Sequence, residues 1–378
     1  MPRPAPLPLP LADLPKNLQR FCDPKAPGPA RMMAARGMVP IKGHEQVMLL
    51  CQLSADPDEA LAKQAAESLE KLPENVLLAA CEADMPASFL DSLAERFATR
   101  DDVLERVVAN AAAVAGTLEW VALRCSERVT ERIAVNEQRL LQAPGIIEAL
   151  YRNKQTRMST ADRLIELSAR NQVVLDIPTF QAHVQAIQGQ LIAEPCEEPL
   201  PSDLLFAEAL REDDDNPNVL EETPSNEVEE EAVSQQYLPL MMRIRQMTSS
   251  EKLRLAMVGN AAARAFLVRD RDKTVAFAAI TSPAMQESEV VPIVHSKEVG
   301  EEILRFVGNK RDWTKNHEIK HGLVFNPKTP VGVALRFVGH LRDDELKALS
   351  RSRNVSQPLK SAAMQRMMQK EKKAKGAG

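Results

Sequence analysis

Seven segments of this chain end in asparagine after the same spacing of apolar side chains. They are VLERVVAN (Asn110), VTERIAVN (Asn136), IIEALYRN (Asn153), LIELSARN (Asn171), LRLAMVGN (Asn260), EILRFVGN (Asn309) and IKHGLVFN (Asn326). The positions seven, three and two before the asparagine are apolar, Ser168 and Glu302 excepted. That spacing sets them on one face of a helix. Asparagine is second only to glycine in accepting the left-handed conformation that ends helices. Each segment is therefore expected to be a short helix with one buried face and a marked stop. A run of such units is the signature of a helical-repeat array.

The pattern also recurs at long range. A shift of 173 positions carries Asn136 onto Asn309, Leu150 onto Leu323, Asn153 onto Asn326, Thr156 onto Thr329 and Arg163 onto Arg336. Upstream, a shift of 172 carries Val103 onto Val275 and Val108 onto Ile280. Two copies of one array are expected. Helix-start signals occur at Asp56-Pro57-Asp58-Glu59, Asp102-x-x-Glu105, Thr248-x-x-Glu251 and Thr329-Pro330. No alternating strand pattern appears, and an aromatic content of 4% argues against a β sandwich. The predicted fold class is all-α: α-solenoid-like helical repeats in two arrays separated by a disordered acidic linker.

Two stretches interrupt the pattern. Residues 1–30 hold nine prolines and are expected to be an extended, disordered leader, with a PxxP-like ligand as the alternative. Between Glu194 and Glu231, fifteen acidic residues stand against one basic residue, Arg211. So much charge with so little apolar surface cannot offset the entropy of ordering. Only Asp203 to Leu210 reads there as a short helix or docking motif. The expected layout is a leader (1–30), an N-terminal array (31–193), a linker (194–240), a basic C-terminal array (241–365) and a basic tail (366–378). Net charge is −3 over residues 1–193, −14 over the linker and +12 over 241–378.

Motifs of catalysis are sparse. GxxxxGK[ST], GxGxxG and GxSxG are all absent. The one tempting cluster is His317-Glu318-x-x-His321, whose histidines lie four apart on a helix. No third ligand is evident, and Lys315 and Lys320 would repel a cation. They are expected to be helix-surface histidines. Cys22, Cys51, Cys81, Cys125 and Cys196 form no CxxC pair and read as buried free thiols of a cytoplasmic protein. No apolar run approaches the roughly 18 to 20 residues that span a bilayer, and prolines break the N-terminus where a signal peptide needs a continuous apolar helix. No catalytic residue, cofactor or metal is assigned, and the chain is expected not to be an enzyme.

Candidate binding residues are basic. Arg264, Arg269 and Arg271 could join Arg351, Arg353 and Lys360 in a surface for phosphates. Trp313, near Arg311 and Lys315, could stack a base, the alternative being a packing anchor at a repeat junction. Asp343, Asp344 and Glu345 read as helix N-terminal charges.

The segments EKLRLAMVGNAAARAFLVRD, RDWTKNHEIKHGLVFNPKTP and LRDDELKALSRSRNVS resemble an uncharacterised bacterial family of helical-repeat proteins, leucine-rich-repeat-variant or HEAT-like in style. The resemblance is strongest over 241–365, weaker over 31–175, and excludes the leader and the linker. It implies an α-solenoid with no established activity. The expected function is a non-enzymatic, cytoplasmic scaffold or adaptor for a protein partner, without membrane association. The alternative is nucleic-acid binding by the basic C-terminal array, autoinhibited by the acidic linker.

Overall fold

A computed structural model describes residues 2–190, 192, 194–196, 198–211 and 238–375. Among these residues are twenty-four α-helices, two 3-10 turns and no strand. No helix among them is long and apolar enough to cross a membrane. The chain divides into two compact units: Met1–Ile177 with Ile192–Cys196, and Pro178–Leu191 with Glu197–Gly378.

The first unit begins with α1 (Lys16–Cys22), α2 (Gly28–Ala35), α3 (His44–Ser54), α4 (Glu59–Glu70), α5 (Glu74–Glu82) and α6 (Ala87–Arg96). It continues with α7 (Asp101–Ala109), α8 (Ala115–Ala122), α9 (Glu127–Ala134), α10 (Glu137–Gln142), α11 (Pro144–Arg152) and α12 (Met158–Arg170). One row of packed helices runs α3, α5, α7, α9, α12, and a second runs α6, α8, α11. The rows follow from the sequence spacing, since Val103, Val107, Ile146 and Leu150 are all fully buried.

The second unit holds α13 (Phe180–Ile187), α14 (Pro201–Arg211), α15 (Leu238–Gln246), α16 (Ser249–Val258), α17 (Ala261–Leu267) and α18 (Lys273–Thr281). After these come α19 (Glu287–His295), α20 (Glu301–Asn309), α21 (His317–Phe325), α22 (Val331–Val338), α23 (Asp343–Arg351) and α24 (Gln357–Lys375). Its rows are α16, α18, α20, α22, α24 and α15, α17, α19, α21. Element starts at 101, 144 and 158 in the first unit match starts at 273, 317 and 331 in the second. The 172–173-residue shift is thus a shift of helices. Core side chains are mostly Leu, Val, Ile and Ala, as close helix packing requires.

The asparagines end helices by a different device from the one expected. Asn110, Asn153 and Asn326 follow their helices with φ of −69°, −75° and −75° and ψ of 129°, 122° and 121°, extended rather than left-handed. Each instead donates its side-chain amide to carbonyls at the end of a neighbouring helix. Asn110 reaches the Cys81 and Ala83 oxygens, Asn153 those of Ala122 and Cys125, and Asn326 those of Val294 and Ser296, at 2.7–3.0 Å. Each Oδ1 accepts from the backbone N–H two residues on, at Ala112, Gln155 and Lys328. One side chain so closes its own turn and satisfies carbonyls that a helix end leaves orphaned. Asn136 and Asn260 are N-caps, with Oδ1 accepting from the Arg139 and Ala263 amides. Asn171 donates to the Leu167 carbonyl, and Asn309 accepts from Arg336.

The expected breaks also change. Residues 2–30 are not a free leader. Pro15 and Pro27 occupy the N-cap positions of α1 and α2, where a missing N–H costs nothing, and Leu14, Leu18 and Cys22 are buried. The fragment at Asp203–Leu210 lies within α14, which buries Phe206 and Ala209. The rest of the linker, 212–237, lies outside the described residues. Both its flanks, α14 and α15, pack together within the second unit, so it joins two helices of one unit and not two arrays.

Candidate interaction surfaces

The candidate basic residues separate by environment. Arg264 on α17 is buried: its guanidinium pairs with both Glu289 oxygens at 2.8–2.9 Å and donates to the Gly259 carbonyl at 2.6 Å. It is core and cannot meet a polyanion. Arg269 is half-buried, 3.9 Å from Glu298, and lines a cavity of about 230 Å³ shared with Lys273, Glu301, Glu302 and Arg305. Lys315 is paired with Asp312 at 2.8 Å, which raises its pKa and lowers that of Asp312. Arg271, Arg311, Arg351 and Arg353 are exposed and make no ion pair among the described residues; Lys360 is half-buried.

Trp313 is buried, 4% exposed, and takes the packing role. It meets Phe306 edge-on, with centroids 6.0 Å apart, and the Lys310 ammonium stands 3.6 Å over its ring. A nucleobase cannot reach it.

The histidines form a small cluster. The His317 Nε2 lies 2.8 Å from Glu345, while His321 stacks on Phe325 and, at 5.9 Å, on His295. Burial pushes the His321 pKa down. Partial burial raises that of Glu345, but the Arg342 amide and His317 outweigh it and hold the carboxyl below its usual range. Among the described residues no group of three His, Cys, Asp or Glu is placed to hold a metal ion. Desolvation pushes the thiols of Cys22, Cys51, Cys81 and Cys125 up to about 12, whereas Cys196 is exposed. A thiol so raised stays protonated and is a poor nucleophile.

Two surfaces escaped the sequence reading. On the second unit, Phe277, Phe306, Leu335 and Met364 recur every 29 residues on α18, α20, α22 and α24, the successive members of one row. Phe277 is 43% exposed, Leu335 40% and Met364 47%, and Phe306 packs edge-on against Phe277 at 5.3 Å. Their regular interval is present in the sequence, where the asparagine pattern places only Phe306, on an apolar helix face.

On the first unit, residues 2–10 cross the helices without regular structure of their own. Arg3 bonds Asp91 and Glu95 on α6, and its guanidinium lies 5.2 Å from the centre of the Trp120 ring on α8. Gln52 on α3 exchanges two hydrogen bonds with the Leu9 backbone. A lone arginine among prolines was the available signal.

No protein-family model matches this chain, and no curated protein matches it.

Proposed function

We propose that the chain is a helical-repeat scaffold or adaptor that acts by binding a protein partner. The row of Phe277, Leu335 and Met364 carries this reading. Large apolar side chains held in solvent on successive helices lose free energy that only a partner's surface recovers, and contiguous patches of this kind mark interaction sites. The stacked helices, resembling HEAT-like arrays in style, would supply an extended binding face. A photo-crosslinking amino acid at position 335, placed in the protein in its native host, should trap one discrete partner. The double substitution Phe277→Asp and Met364→Asp should abolish the trapped species without changing the melting profile. Failure to trap any species from positions 277, 335 and 364 alike would count against the adaptor reading.

A second reading, binding of a polyanion such as nucleic acid, is favoured by Arg271, Arg311, Arg351 and Arg353, exposed and without an ion pair among the described residues. Replacing Arg351, Arg353 and Lys360 with alanine should weaken DNA or heparin binding uniformly across sequences. It should also flatten the dependence of log K on log salt by about 1 for each phosphate no longer neutralised. An unchanged slope would remove this reading.

A further inference from the structure

Residues 2–10 make no backbone hydrogen bonds with one another among the described residues; the first such bond is from Asp13 to Pro10. Pro10, at the end of the segment, has φ −56° and ψ 143°, the polyproline conformation, whereas the chain bends at Leu7 and Pro8, which a cis peptide bond joins. Most of this segment is exposed. Two anchors hold it upstream of the buried Leu14.

The first anchor takes a guanidinium. Arg3 donates through Nε and Nη2 to the two oxygens of Asp91, at 3.1 and 2.7 Å, and through Nη1 to Glu95 at 2.6 Å. Asp91 is 8% exposed and also accepts from the buried Thr117 hydroxyl at 2.6 Å, which fixes its orientation. The planar fork of arginine fits this carboxylate as lysine cannot. Beside it, a Cβ on Gly116 would stand 2.5 Å from the Pro2 carbonyl oxygen, so the glycine is what allows the segment's backbone onto α8.

The second anchor reads backbone alone. The Leu9 N–H donates to the Gln52 Oε1 at 2.9 Å, and the Gln52 Nε2 donates to the Leu9 carbonyl at 2.7 Å. Gln52 is 4% exposed, a buried amide whose donor and acceptor both point at a passing chain. The first anchor needs only an arginine, and the second only a backbone N–H and carbonyl. Together they select an arginine and, six residues later, a residue with a free N–H, on a stretch that bends at Leu7 and Pro8 between the two anchors.

We propose that this face of the first unit is a peptide-binding site, that residues 2–10 are its built-in occupant, and that a partner's proline-rich segment carrying one arginine takes their place. The proposal rests on the adaptor reading and specifies the chemistry of one of its partners. Few contacts hold the built-in segment, so its advantage is that of tethering: an effective concentration of about millimolar for a short linker. Proline-rich peptides have their φ angles fixed in advance and lose little entropy on docking, which suits such an exchange.

The probe is a labelled peptide with the sequence of residues 1–12, offered to the full chain. The wild-type chain should bind it weakly, its site being filled. The Arg3→Glu chain, whose own segment Asp91 and Glu95 repel, should bind it at least about tenfold more tightly. Adding Asp91→Asn or Gln52→Ala to that chain should abolish the gain, as should Arg3→Ala in the peptide. If Arg3→Glu impairs folding by circular dichroism, a chain lacking residues 2–9 serves in its place. The proposal is overturned if the opened, folded chain ignores the peptide, or binds the Arg3→Ala peptide equally well. It is also overturned if the chains pair by exchanging their own segments in size-exclusion chromatography without taking up the peptide. None of these results bears on trapping at position 335, so the adaptor reading can survive the loss of this site.

Discussion

Replacing Glu289 with alanine is expected to destabilise the second unit by about 3–5 kcal/mol, because it strands a buried charge. Side-chain exposure is 6% for Arg264 and 8% for Glu289, so neither has water as an alternative partner. Arg264 would keep only its bond to the Gly259 carbonyl, and the start of α19 would lose the bond from the Gln286 amide to Glu289. The cost reflects the missing partner more than the worth of the pair, since an apolar pair of similar volume can be neutral or better. The double variant Arg264→Met, Glu289→Leu should therefore be more stable than Glu289→Ala alone. Urea unfolding followed by circular dichroism measures both. A Glu289→Ala loss below about 1 kcal/mol would mean that Arg264 finds water or another partner.

This ion pair also shows where the sequence was readable and where it was not. Apolar spacing at Val103, Val107, Leu150 and Leu323 was enough to place helices and their buried faces, because burial follows local periodicity. The capping box at Thr248 and Glu251 forms as expected, both partners being three residues apart. At Asp56-Pro57-Asp58-Glu59 the cap is Asp58 rather than Asp56, a shift of two within a run where either acid could serve. What local sequence does not carry is the partner brought from 25 to 88 residues away. Arg264 looked like surface charge until Glu289 closed over it, and Arg3 looked like part of a loose leader until Asp91 took hold of it. Composition misjudged the leader for a related reason: prolines that exclude a helix interior are well suited to helix starts and to irregular segments docked on a surface. The linker was assigned as an inter-domain tether on charge alone, and charge says nothing about which helices flank it.

Replacing Asn326 with glycine should be as damaging as replacing it with alanine, about 2–4 kcal/mol, although glycine is the usual residue for ending a helix. With φ at −75° the backbone needs no left-handed residue, so nothing is gained from the missing Cβ. What is lost is the amide. Its Nδ2 serves the Val294 and Ser296 carbonyls and its Oδ1 serves the Lys328 N–H, all at 2.7–3.0 Å, on a residue 5% exposed. Each buried carbonyl left unpaired costs about 1–3 kcal/mol, some of it relieved by local relaxation. Asn326→Asp should be worse than either at neutral pH, since it aims a carboxylate at two carbonyl oxygens. Those oxygens disfavour the charged form and so raise the folded-state pKa above the unfolded value. The excess deficit is therefore absent at low pH and appears as pH rises through the unfolded-state value towards that raised pKa. Asn153, bonded in the same way to the Ala122 and Cys125 carbonyls, should repeat the series in the first unit. Chemical unfolding of the alanine, glycine and aspartate variants at both positions supplies the comparison. Glycine variants as stable as wild type would show that the turn, and not the amide bracket, is what the asparagine provides.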